Sequence, residues 1–389
     1  MLGALLHSTE NKNAALRLRE MVTVLRRHDI VHGLTPAKLR AIFEDLGPTF
    51  VKFGQIMSMR PDFLPTDYCD ELMKLQTAAR PLAFPVILSI VEQEYNREWN
   101  KVFRTIDSTP LGSASIAQAH RATLSSGEEV VIKVQRPGIH EIMRTDLTLM
   151  KRAATLIRLV SSDDVVDFRA LMDEMWNIAK QEMDFLIEAS HIEEFAHLNR
   201  DNPFVSCPRV LRDLSTQHIL VMEYIDGIPL DQTDALRTAG VNVTQIGRRL
   251  GENYAKQIIE DGFFHGDPHP GNIRIRGGNI VWIDLGMMGR LSNRDRTALR
   301  RAIWALATHD TFEMKAAVLA LGIVKGRIDH ARLYQDIDVI MEQYGSLDFT
   351  DVHMGVLTNQ ILSILRMHHI GCPSGLAMFA RGVMTVEIV

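Results

Sequence analysis

The sequence predicts a bilobal α+β protein: a small β-rich lobe, a hinge-like strand and a helical large lobe, preceded by a helical extension. Three observations predict it. Short β-rich runs, VFRTID, HRATL and EEVVIKVQ, begin at about residue 102 and are separated by turn residues such as Ser125-Ser126-Gly127. A buried-strand run, HILVMEYI (218–225), stops at Asp226-Gly227. Most of the remaining chain places apolar residues at helical spacing.

At 389 residues the chain has room for two or three domains. The changes of pattern divide it at 1–101 (extension), 102–225 (small lobe) and 226–389 (large lobe). In the extension, residues 14–30 read as a helix and Thr35-Pro36 opens a second one, which Gly47-Pro48 breaks. TFVKFGQIMSMRPDFLP follows as a helix ended by Arg60-Pro61, and DYCDELMKLQ is helical again. Residues 139–160 and 167–198 return to helical patterning, and NIRIRGGNIVWIDLG reads as a hairpin around Gly277-Gly278-Asn279.

Bulk chemistry narrows the function. A net charge of −5 argues against nucleic acid as a partner. Cys69, Cys207 and Cys372 are far apart, with neither zinc nor disulfide spacing, which fits buried thiols in a reducing compartment. The start MLGALLHSTENKN is too short an apolar run for a signal peptide, and no uninterrupted apolar stretch is long enough to span a membrane. The expectation is a soluble protein, or one attached at a membrane surface.

The chemistry concentrates in HGDPHPGNIRI…IVWIDLG, residues 265–286. Asp267 and Asn272 have the D-x-x-x-x-N spacing of a kinase catalytic loop, and Asp284-Leu285-Gly286 follows at the end of an apolar run, as a kinase DFG does. Phosphoryl transfer asks for a carboxylate to orient the acceptor and hard oxygen ligands to hold Mg²⁺. Asp267 fits the first role; Asn272 and Asp284 fit the second. Either short motif alone could be an ordinary turn or strand end.

Val130-Val131-Ile132-Lys133 ends a strand in lysine, as the kinase VAIK does. Such a lysine needs phosphate oxygens and a carboxylate around it. The carboxylate is expected on a helix containing QEMDFLIEAS, where Asp184 and Glu188 share a face and Glu182 projects away. Glu188 is the expected partner, with a solvated helix face as the bland alternative. Met222-Glu223-Tyr224-Ile225 would offer main-chain groups to adenine. In place of a glycine loop the chain has Pro110-Leu-Gly-Ser-Ala-Ser-Ile-Ala-Gln-Ala-His120, stiffer because Ala and Ser restrict the conformations glycine permits.

From about residue 35 onward the chain resembles the UbiB-like (AarF-like) atypical kinases, a group tied to isoprenoid-quinone (ubiquinone) biosynthesis. The resemblance rests on Lys52-Phe53-Gly54-Gln55 (KxGQ), Leu75-Gln76, the Ala/Ser loop 112–120, Lys133, Glu182-x-Asp184 (ExD) with Glu188, Asp267 with Asn272, and Asp284. It implies a protein-kinase-like fold whose KxGQ helix covers the acceptor site, with Lys52 and Gln55 facing the phosphates and the ExD carboxylates. It implies ATP or ADP with Mg²⁺, catalysis by Asp267, Lys133 and Lys52, and metal ligation by Asn272 and Asp284. Nucleotide contacts would come from Gly112, Ser113, Ala114, Ser115, Ala117, Gln118, Lys133, Glu182, Asp184, Glu188, Gln55, Glu223 and Tyr224. Partners would be a quinone-precursor lipid or quinone-biosynthesis proteins, at the cytoplasmic face of an inner membrane. Read blandly, Lys52 is a surface lysine beside a helix-breaking glycine.

The chain departs from the family pattern in places. Gly112 stands where many members have alanine, which would relax nucleotide preference or permit more kinase-like behaviour. Thr77 replaces an acidic residue. His269 stands where a kinase loop has lysine, and serves either the γ-phosphate or the turn before Pro270. The hydrophobic C-terminal anchor of bacterial members is not in this sequence, so attachment would fall to a removed anchor or to an amphipathic surface. Two other functions compete: a soluble phosphotransferase of the aminoglycoside- or choline-kinase type, which shares HGDxHPGN but lacks KxGQ and ExD, and a non-catalytic, nucleotide-gated lipid or protein chaperone.

Overall fold

The computed structural model describes residues 2–58, 64–75, 79–158, 168–324, 326–344 and 353–388. Five helices come first: α1 (Leu2–Arg27), α2 (Pro36–Leu46), α3 (Pro48–Ser58), α4 (Thr66–Leu72) and α5 (Phe84–Tyr95). Strands β1 (Phe103–Ile106), β2 (Gly112–Ser113), β3 (Ala117–Leu124) and β4 (Glu129–Gln135) follow. Next are α6 (Ile139–Arg158), α7 (Phe168–Glu182), α8 (Phe185–Leu198), β5 (Val205–Ser206), β6 (Ile219–Glu223) and β7 (Ile228–Pro229). Helices α9 (Thr233–Thr238) and α10 (Val243–Lys256) lead to β8 (Phe263–His265), β9 (Ile273–Arg276), β10 (Asn279–Trp282) and β11 (Met288–Arg290). The chain continues through α11 (Asn293–Thr308), α12 (Thr311–Leu321), β12 (Ile323–Val324), α13 (His330–Tyr344), α14 (Met354–Met367), β13 (Ile370–Gly371) and α15 (Ser374–Ile388).

By compactness the chain forms two units. One holds the residues up to Ser58, Phe63–Ala189 and Val210–Tyr224; the other holds Ser190–Arg209 and Ile225–Val389. The helical N-terminal residues are thus grouped with the first sheet, whereas the sequence reading separates them at residue 101.

In the first unit an antiparallel sheet runs β1-β3-β4-β6, with β2 added on β3. Val130, Ile132 and Val134 of β4 lie in one core with Ile87 and Val91 of α5, Phe103, Ile219 and Val221. Side chains alternate along a strand, so Lys133 emerges on the face opposite Ile132 and Val134. Before the sheet, Thr35 caps α2 by accepting from Lys38 N–H, Pro36 takes the first turn, and Gly47 (φ +92°) ends the helix. Helices α1 to α3 bury Val24, Phe43, Leu46 and Phe50 together with Leu72, Leu75 and Leu149. The expected end of α3 at Arg60-Pro61 lies outside the described residues, as do Gln76 and Thr77.

The single helix expected through QEMDFLIEAS is two. Helix α7 ends at Glu182, and Asp184 starts α8 by accepting Leu186 N–H on Oδ1 (3.0 Å) and Ile187 N–H on its carbonyl (2.9 Å). Aspartate outcompetes helix continuation here because its short side chain satisfies amides that would otherwise be left orphaned.

The second unit carries a four-stranded sheet, β5-β10-β9-β7, and a two-stranded pair, β8 with β11. The expected hairpin is β9–β10, turned by Gly277 and Gly278, whose φ values of +59° and +78° suit a tight two-residue turn. Helices dominate the rest of the unit.

Candidate functional site

In the first unit the strand lysine has the partner expected of it. Lys133 Nζ lies 2.9 Å from both carboxylate oxygens of Glu188 and over the ring of Phe185 at 5.5 Å. Only 6% of the Glu188 side chain is exposed, so the pair offsets the cost of burying that carboxylate. Glu182 takes a different lysine: Lys52 Nζ sits 2.6 Å from its Oε2, while its Oε1 is buried with no hydrogen-bond partner among the described residues. The helix break at Met183-Asp184 separates the two carboxylates, and not the 100° periodicity of one continuous helix.

Gly54 explains why Lys52 and Gln55 stand where they do. A Cβ at Gly54 would sit 2.3 Å from Leu75 Cδ1 and 2.6 Å from Phe43 Cδ2, so the glycine lets α3 close on α2 and on the segment carrying Leu75. Gln55 reinforces that closure by donating to Leu75 O (3.5 Å), which spends its amide on the backbone.

Loop 112–120 is braced from both sides. Arg136 donates to Ala114 O (2.8 Å), Ser113 Oγ (2.7 Å) and Arg80 O (2.9 Å). Gln118, expected to touch nucleotide, is buried; its Oε1 accepts from Leu82 N (2.7 Å) and Ser113 Oγ (3.2 Å). Its amide nitrogen donates to His120 Nε2 (2.8 Å), whose Nδ1–H goes to Asp107 O (2.7 Å). Those bonds hold His120 as the neutral Nδ1–H tautomer, and burial pushes its pKa below the usual histidine value. Ser115 and Ala117 are buried as well, while Gly112 has open space where a Cβ would stand. At the end of β6, Tyr224 N–H is already given to Glu129 O (3.2 Å) and its ring carries the Arg121 guanidinium at 4.3 Å.

In the second unit the HGD histidine organises the loop. His265 donates from Nε2 to Asp284 O (2.6 Å), accepts Asp267 N–H at Nδ1 (3.1 Å) and stacks on Trp282 with centroids 4.8 Å apart. Both ring nitrogens are thereby committed to the neutral form, and burial lowers the pKa. Asn272 gives its Nδ2–H to Asp267 O (3.0 Å); a carbonyl acceptor demands the nitrogen, which leaves Asn272 Oδ1 for a cation. Ile283 N–H donates to Asn272 O (2.9 Å), tying the loop to the residue before Asp284, and Asp284 Oδ1 accepts from Gly286 N (3.0 Å). Asp267 itself is exposed. His269 shapes the turn: its Nδ1 accepts from Gly271 N (3.1 Å).

Among the described residues no three His, Cys, Asp or Glu side chains converge as a metal cage. One amide oxygen and one carboxylate suit Mg²⁺, which keeps water and phosphate oxygens as its remaining ligands.

Several residues behind the site gave no signal in the sequence. Gln257 accepts His265 N–H (3.0 Å), Tyr254 donates to His265 O (2.9 Å), and Asn253 links Gln257, Trp282 and Asn199. Residues Gln257–Asp261 form a π-turn that ends α10, and Gln257 is its first residue. A buried amide reads like any other polar residue in a helix, so only the fold reveals these roles.

Comparison with known proteins places the geometry among relatives. The family model described as "ABC1 atypical kinase-like domain" matches residues 74–318. A Clostridium pasteurianum protein encoded in the 5′ region of hydrogenase 1 is 38% identical over 384 residues, 96% of this chain and 72% of its own. The chloroplastic Arabidopsis thaliana protein ACTIVITY OF BC1 COMPLEX KINASE 8 is 37% identical over 313 residues, 79% of this chain but 40% of its own. Among solved structures, the Mycobacterium tuberculosis protein Rv3197, determined with erythromycin, superposes with a TM-score of 0.56 at 23% identity, covering 85% of this chain and 92% of its own.

Proposed function

The chain belongs to the ABC1 atypical kinase-like family, and from that premise we propose that it binds ATP or ADP with Mg²⁺ and hydrolyses ATP slowly, in support of isoprenoid-quinone biosynthesis at a membrane surface. The observation that carries this reading is the two-point contact of Lys133 with Glu188. In kinases a lysine held this way is poised for the α- and β-phosphates. Asn272 and Asp284 would take the metal, and Asp267 would orient the attacking water or hydroxyl. When bound, Mg²⁺ would supply charge neutralisation on the phosphates. The unpartnered Glu182 Oε1 supports a role for the ExD carboxylate in receiving a ligand, because a buried carboxylate oxygen is costly without one.

Among the described residues no helix is long and apolar enough to cross a bilayer, and attachment at a membrane surface would draw on exposed aromatic side chains. Trp304 and Phe312, 67% and 69% exposed, are side chains suited to a headgroup layer.

The test is ATP hydrolysis with Mg²⁺, with and without anionic vesicles and quinone-precursor phenols, for the wild type, Lys133→Met, Asp267→Asn and Asp284→Asn. Turnover by the wild type, nucleotide binding without turnover in Asp267→Asn, and loss of Mg²⁺-dependent binding in Asp284→Asn are expected. No hydrolysis by the wild type under any condition would remove the enzymatic reading. Function surviving in Asp267→Asn would favour a nucleotide-gated chaperone.

A further inference from the structure

The second unit contains a cavity of about 390 Å³ walled by α10, the π-turn, α11, α12, α14 and α15. Its size falls in the range of small-molecule sites. Its wall is aliphatic almost throughout, with Ile258, Leu299, Leu306, Leu362 and Val383 typical of it. Polar groups are few. Tyr254 spends its hydroxyl on His265 O and Thr358 donates to Met354 O, so neither asks for a polar partner deep in the cavity. Glu387 is the one charged residue of the lining, fixed by Gly355 N–H (2.8 Å) and His353 Nδ1 (3.3 Å).

We propose that this cavity is a binding site for one hydrophobic small molecule with a hydrocarbon body and an uncharged or cationic head, and that the wall transmits occupancy to His265. The body follows from the deep lining, because an apolar wall whose Tyr254 and Thr358 hydroxyls are already spent on the backbone rewards apolar contact there. The head follows from Glu387, whose carboxylate repels an anionic head and attracts an ammonium or hydroxyl. Transmission follows from the wall itself. Tyr254 and Gln257, on α10 and the adjoining turn, hold the carbonyl and the N–H of His265, and Tyr254, Ile258 and Ile259 line the cavity. A ligand that orders this wall also orders the backbone two residues before Asp267.

The binding test uses the nucleotide-free protein and N-phenyl-1-naphthylamine, a neutral fluorophore that brightens in apolar surroundings. One saturable site per chain is expected, displaced by dodecylamine and dodecanol and about tenfold less well by dodecanoate. Ala302→Phe, which fills the cavity from its α11 wall, should abolish probe binding while circular dichroism is unchanged. Glu387→Gln keeps an acceptor for Gly355 N–H and should erase the preference for amine over carboxylate while leaving dodecanol unaffected; it serves equally if Ala302→Phe does not fold. Hydrogen exchange reads the second half: dodecanol should slow exchange in the peptide containing 263–267 in the wild type, and less in Tyr254→Phe. Non-saturable probe uptake, or head preference unchanged in Glu387→Gln, overturns the site. Binding with no change at 263–267 overturns the transmission. None of these readouts involves ATP, so failure here is distinct from failure of the hydrolysis test.

Discussion

His265 donates its Nε2 proton to the backbone carbonyl of Asp284, 2.6 Å away. Because the other ring nitrogen accepts from Asp267 N–H, one neutral imidazole spans the loop of the proposed base and the loop of the proposed metal ligand. Protonation at Nδ1 would turn that acceptor into a donor facing an N–H.

Stability should therefore fall with acid. His265 and His120 both have lowered pKa values, caused first by burial. Above the unfolded histidine value of about 6.5 neither state carries the proton and nothing is lost. Below it the unfolded chain takes up protons that the folded chain resists, so stability declines from about pH 6.5 down to the depressed folded values. Urea midpoints measured from pH 8 to pH 5 should show this decline, and His120→Gln should flatten it.

Lys133→Met should cost stability as well as nucleotide binding. It removes the cation that faces both oxygens of the buried Glu188 carboxylate, a loss of about 3 kcal/mol. Pairing it with Glu188→Leu should recover much of the stability and none of the binding. Denaturation and nucleotide titration on the single and double variants separate the two roles.

Two glycines should behave oppositely. Gly54→Ala forces a methyl group against Leu75 and Phe43 and should destabilise by about 1–3 kcal/mol, seen as a lower melting temperature. Gly112→Ala meets nothing within 4 Å, so its melting temperature should hold while any change appears in ATP-versus-ADP affinity.

Asp184 has a structural duty that can be isolated. Asp184→Ala removes the acceptor for Leu186 N–H and should cost about 1 kcal/mol, whereas Asp184→Asn keeps an oxygen there and should cost little. Nucleotide affinity lost in both variants would point to the charge; lost only in the first, to the cap.

Gln257→Leu should weaken the proposed site from behind. It strips the buried His265 N–H of its acceptor, a cost of about 1–3 kcal/mol. Turnover should fall with little change in nucleotide affinity, which initial-rate kinetics would show.

The sequence alone determined the family, the α+β class, the β9–β10 hairpin and the residue types in the two motif clusters, because these are properties of local spacing. D-x-x-x-x-N and a strand-ending lysine need no neighbours to be legible. Tertiary structure decided who pairs with whom. Glu182 goes to Lys52 and Glu188 to Lys133 because Asp184 stops one helix and starts another, a local competition for backbone amides that helical periodicity does not display. It likewise decided that Gln118 braces the sheet and that Gln257, Asn253 and Tyr254 hold the His265 loop. Those roles arise only when distant segments bury polar atoms together, and burial is a property of the folded chain.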